Sequence, residues 1–103
     1  MHAAIADKKE ELAELCRRHG VARLEVFGSA ARGTDFDPMS SDADFLVEFR
    51  LDNGRAPLRH YFDFAEALQH ALGRPVDLVE SGAVQNPYLR AAIDRSRELV
   101  YAP

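Results

Sequence analysis

Apolar residues recur at helical spacing between Ile5 and His19, at Ile5, Leu12, Leu15 and Cys16, and Gly20 stands where a left-handed residue ends a helix. An amphipathic first helix is predicted there. Arg23-Leu24-Glu25-Val26-Phe27 then alternates polar and apolar side chains and runs into Gly28, as a short strand entering a tight turn does. Thr34 to Ser41, with Asp35, Asp37, Pro38 and Ser40, reads as a loop. Alternation resumes from Asp42 to Phe49. Ala43, Phe45, Val47 and Phe49 share one face of this predicted central strand, and Asp42, Asp44, Leu46 and Glu48 share the other.

Beyond a polar turn at Asp52-Asn53-Gly54, Pro57 is suited to open a helix. Leu58, Tyr61, Phe62, Ala65, Leu68 and Leu72 form its apolar stripe, and Gly73 closes it. Phe64 falls off the stripe and is expected to mark an interface. Pro75 to Val79 is a third short strand, and Asn86-Pro87 supplies an N-cap and first position for a last helix carrying Leu89, Ala92 and Ile93. Leu99-Val100-Tyr101 adds an edge strand or extends the tail. This order predicts an α/β fold in which helices cover a small mixed β-sheet.

A chain of 103 residues buries one core, so residues 1–103 are expected to form a single domain. Cys16, the one cysteine, has no internal partner and lies among apolar residues, which favours packing and a reducing compartment. No leader-like or membrane-length apolar run occurs, so a cytoplasmic location without membrane contact is expected. The formal charge of -4, with basic residues dispersed along the chain, argues against a strong nucleic-acid footprint. His19, His60 and His70 have no mutual ligand spacing and are assigned no chemistry.

Acidic residues inside strands change the picture. Asp42 and Asp44, two apart in a strand, project from the same face about 6 to 7 Å apart. Two carboxylates so close oppose each other's ionisation, and a divalent cation removes the conflict. Asp77 interrupts an apolar strand, and pairing with the central strand would set it beside the other two; a salt bridge to an arginine is the alternative reading. Three such carboxylates suit a site binding two Mg²⁺ ions, since all the ligands on offer are hard oxygens. Gly28 and Ser29 follow a strand where backbone N–H groups and a hydroxyl can meet phosphate oxygens, with Arg32 near enough to offset their charge.

Together, Val26-Phe27-Gly28-Ser29-Ala30-Ala31-Arg32-Gly33, Ser41-Asp42-Ala43-Asp44-Phe45-Leu46-Val47 and Val76-Asp77-Leu78-Val79 resemble the minimal nucleotidyltransferases of the DNA polymerase β-like superfamily. The resemblance implies that fold. It implies Gly28, Ser29 and Arg32 as nucleotide-binding residues, and Asp42, Asp44 and Asp77 as metal ligands and catalytic residues. It further implies transfer of AMP from ATP to a tyrosine of an all-helical HEPN toxin, the chain acting as antitoxin. Two other readings remain open: transfer to a small hydroxylated molecule such as an aminoglycoside, with a homo-oligomer supplying the missing substrate surface, and a non-catalytic module that neutralises its partner by occlusion.

Overall fold

The computed structural model describes residues 1–28, 43–50 and 58–103. The predicted loop from Thr34 to Ser41, the turn at Asp52-Asn53-Gly54 and the helix start at Pro57 lie outside the described residues.

The apolar stripe between Ile5 and His19 forms two helices, α1 (Ala3–Ala6) and α2 (Lys9–Arg18), rather than one. The Nδ1 atom of His2 accepts from the Ala4 N–H at 3.0 Å and caps α1, whose last carbonyls are taken up by the N–H groups of Asp7 and Lys8. No glycine or proline marks this break in the sequence. Ile5, Leu12 and Cys16 are nevertheless all fully buried, because the break keeps each on the core side. Gly20, at φ +65°, ends the run and turns the chain directly into a strand, as the left-handed region at a helix end requires.

The first strand, β1 (Val21–Phe27), begins two residues earlier than alternation alone indicates. Val21 pairs with Phe49 but Arg23 pairs with Glu48, so Ala22 is an extra residue in the ladder. Such a bulge resets the period of two, which is how Val21, Leu24 and Val26 all reach the core. The second strand, β2 (Ala43–Phe49), runs antiparallel to β1. Helix α3 (Leu58–Leu72) leads to β3 (Val76–Glu80), which lies parallel to β2. A single 3-10 turn, Ser81–Ala83, precedes α4 (Pro87–Ser96). Asn86 Oδ1 caps α4 by accepting from the Tyr88 and Leu89 N–H groups, with Pro87 in the first turn, where its missing N–H costs nothing. The chain closes in β4 (Glu98–Tyr101), antiparallel to β1 at the sheet edge. The sheet order is β3-β2-β1-β4, a mixed α/β architecture as expected.

One face of the sheet carries the apolar core. Leu24, Val26, Phe45 and Val47 meet Leu12 and Cys16 of α2 and Phe64 and Leu68 of α3, all of them fully buried. Each large side chain among them contributes roughly 1.5–3 kcal/mol by leaving water. The stripe on α3 is rotated from the expected one. Phe64 is fully buried, its ring 5.9 Å from that of Phe49, whereas Phe62 is 57% exposed and Leu58 71% exposed. Tyr61, Phe64, Ala65 and Leu68 form the inward face instead, so Phe64 marks the core and not an interface. The reason is tertiary: Phe49 and His19 offer a cleft that an aromatic ring fills. The Cys16 thiol is pushed up to about 12 by burial, in keeping with a packing role.

Candidate active site

The second face of the sheet sets acidic residues among apolar ones, with Glu25, Asp44 and Asp77 beside Phe27 and the buried Leu46. Alternation along β2 turns Asp44 and Leu46 away from the core, and the register sets Glu25 opposite Leu46 and Phe27 opposite Asp44. Across the parallel ladder, Asp44 is paired directly with Asp77. Two aspartates on adjacent strands, whose backbones lie about 4.8 Å apart by ordinary sheet spacing, therefore share one face. Asp77 is exposed and Asp44 partly buried, so neither is a stray charge in the core. The strand pairing inferred for Asp77 is present, and its form is parallel.

Asp77 is held from behind. The Tyr61 hydroxyl of α3 donates to the Leu78 carbonyl, fixing the β3 backbone one residue beyond Asp77. Burial raises the Tyr61 phenol, and the charges of Asp77 and Glu80 raise it further, so it stays a donor at neutral pH.

Gly28 ends β1 beside these carboxylates. Its φ is +70°, a conformation in which an L side chain is strained. A Cβ built there would stand 2.8 Å from Asp44 Oδ2, closer than real Cβ contacts come. Glycine is thus favoured by the turn's positive φ, and a larger residue would also have to push the Asp44 carboxylate aside. The Gly28 N–H donates to Ser96 Oγ at 2.9 Å, tying the turn to the last residue of α4.

Next to this turn is a buried ion pair that alternation in β1 does not reveal. Glu25 is 3% exposed. It accepts from Arg97 Nε and Nη2, each at 2.6 Å, in a two-pronged pair, and from Arg23 Nε at 2.8 Å. Arg97 also donates to Asp94 at 2.8 Å. These bonds, the one from Arg97 foremost, hold the Glu25 carboxyl down at about 2 despite burial. Arg97 and Ser96 carry no sequence signal of their own, since one is among the dispersed arginines and the other ends a helix. Only a glutamate between the core residues Leu24 and Val26 hints that a basic partner must be near.

Of the expected site residues, Gly28, Asp44 and Asp77 are brought together, while Ser29, Arg32 and Asp42 lie outside the described residues. Among the described residues no three acidic, histidine or cysteine side chains stand in a group that could hold a metal. The residues present do fit a hard divalent cation: two oxygen donors in register on one face, with backbone brought close by a glycine. No helix among the described residues is long and apolar enough to cross a membrane.

Comparison with known proteins gives the class to which this mixed sheet belongs. The model of the nucleotidyltransferase domain family matches residues 8–100. The chain belongs to that family. It is 32% identical over 99 residues to a Methanocaldococcus jannaschii protein provisionally named a protein adenylyltransferase, covering 88% of this chain and 94% of that one. It is 34% identical over 88 residues to the protein adenylyltransferase MntA of Thermococcus cleftensis, covering 85% and 81%. A solved structure provisionally described as a minimal nucleotidyltransferase superimposes with a TM-score of 0.73 at 35% identity, covering 95% of each chain. A chain from the structure of a tri-AMPylated Shewanella oneidensis HEPN toxin in complex with MNT antitoxin shares the fold, with a TM-score of 0.68 at 17% identity, over 95% of this chain and 72% of that one.

Proposed function

We propose that this chain is an antitoxin that transfers AMP from ATP to a tyrosine hydroxyl of a HEPN-domain toxin. The observation that carries the reading is the direct pairing of Asp44 with Asp77 beside Gly28. The names borne by relatives above 30% identity support protein adenylylation as the activity, and the toxin–antitoxin neighbour supports the class of partner.

In this reading Asp44 and Asp77, together with Asp42, hold divalent metal, with Mg²⁺ the ion that all-oxygen ligands favour. When bound, such an ion neutralises the triphosphate and stabilises the leaving pyrophosphate. The turn at Gly28 and Ser29 receives the phosphates, and Arg32 offsets their charge. The tyrosine oxygen attacks the α-phosphorus, a P–O bond to that oxygen forms, and the bond to the β-phosphate bridging oxygen breaks to release pyrophosphate. Asp77, exposed at the edge strand, is suited to take the proton that the hydroxyl gives up.

The test is transfer of label from α-labelled ATP, with Mg²⁺, to a HEPN-domain protein encoded beside this chain. Label on the partner with the wild-type chain is expected, reduced at least about a hundredfold by Asp44→Asn, equivalent to about 2.7 kcal/mol of transition-state stabilisation, with an unchanged melting temperature. Tight binding and neutralisation of the partner without label would sink the transferase reading in favour of occlusion.

A further inference from the structure

The end of α4 and the residue after it grip the chain at Glu25 and Gly28, on either side of Val26 and Phe27. Arg97 holds the Glu25 side chain, and Ser96 holds the Gly28 backbone. The Ser96 hydroxyl has two partners with complementary roles: it accepts from the Gly28 N–H at 2.9 Å and donates to the Ala92 carbonyl one helical turn back, at 3.4 Å. A serine that bonds back to its own helix has its hydroxyl direction set by that helix. Gly28 is consequently not a free turn residue. Its N–H is fixed to α4, and its Cα sits so near Asp44 that a methyl group would collide with the carboxylate.

We propose that Ser96 is a positioning residue for nucleotide binding, which rests on the reading of Gly28 as part of the phosphate-binding turn. The hydroxyl takes up the Gly28 N–H, holds the glycine in its left-handed conformation and so sets the turn against Asp44. The Gly28 N–H is thereby taken up by α4, and the part Gly28 plays in the turn is the close approach of its backbone to Asp44. The neighbouring Glu25–Arg97 pair keeps α4 seated while Ser96 does this, so a change at Ser96 alone is expected to move the turn and leave the helix in place. That separates positioning from folding.

The experiment compares wild type, Ser96→Ala and Ser96→Thr in AMP transfer at varied ATP, in thermal unfolding and in amide exchange at Gly28. Ser96→Ala is expected to speed Gly28 exchange and raise KM for ATP about tenfold, with kcat within about twofold and the melting temperature nearly unchanged, as loss of one hydrogen bond allows. Ser96→Thr, which keeps the hydroxyl, is expected to restore both exchange and KM. The proposal fails if Ser96→Ala leaves KM for ATP at the wild-type value. It fails equally if KM rises only together with a drop in melting temperature and threonine rescues neither. A wild-type chain that neither binds ATP nor transfers AMP would overturn the nucleotide reading itself and this inference with it, whereas failure at Ser96 alone leaves that reading standing.

Discussion

The two faces of the sheet solve opposite problems with the same strands. On the face beneath α2 and α3, Leu24, Val26, Phe45 and Val47 are all fully buried and held by apolar contact alone. On the other, Asp44, Asp77 and Glu25 alternate with those residues, and each needs a named partner or water. A face held by shape loses stability in proportion to the volume removed, and a face held by charge responds to protons and ions. The contrast teaches that stability and chemistry are separable here down to adjacent residues.

The largest break in that contrast is expected at Phe64. Phe64→Ala should cost about 3–5 kcal/mol in chemical denaturation, because it empties the cleft between Phe49 and His19. A loss below about 1 kcal/mol would mean that the ring is not core. The acid response should come from the other face. The folded Glu25 carboxyl is held at about 2, below its ordinary 4.5, so the charged form favours the fold. Its contribution, about 3 kcal/mol, is complete above about pH 4.5 and disappears as pH falls toward 2. Unfolding measured across that range should show this slope, and Glu25→Gln should flatten it while lowering stability at neutral pH; an unchanged slope would refute the assignment. The smallest effect is expected at Phe62, which is 57% exposed: Phe62→Ser should change stability by no more than about 0.5 kcal/mol in the same assay. Together, Phe62 and Phe64 measure how far the helix stripe is rotated from its sequence pattern.

That rotation illustrates which parts of the molecule were legible beforehand. Strand identity, the glycine stops at Gly20 and Gly73, the Asn86 cap and the sharing of a face by Asp44 with Leu46 follow from local rules, because capping and alternation are decided within a few residues. The stripe on α3 does not. An amphipathic helix with apolar residues at Leu58, Tyr61, Phe62 and Phe64 has more than one plausible inward face, and the choice belongs to whatever it packs against. The break between α1 and α2 and the bulge at Ala22 are equally silent in the sequence, since neither has a glycine or proline to mark it.

The candidate site divides the same way. By itself the sequence determined the chemistry on offer: a glycine after a strand, aspartates in strands, and a motif order resembling one family. Tertiary structure alone decided that Asp77 stands directly opposite Asp44 on a parallel neighbour, that Glu25 is buried by a two-pronged bond to Arg97, and that Ser96 fastens Gly28. The physical reason is range. Residue type and spacing set what a few neighbouring atoms can do, but Glu25 and Arg97 are 72 positions apart and Gly28 and Ser96 are 68 apart. Contacts that distant form only when the assembled sheet brings their strands and helix together.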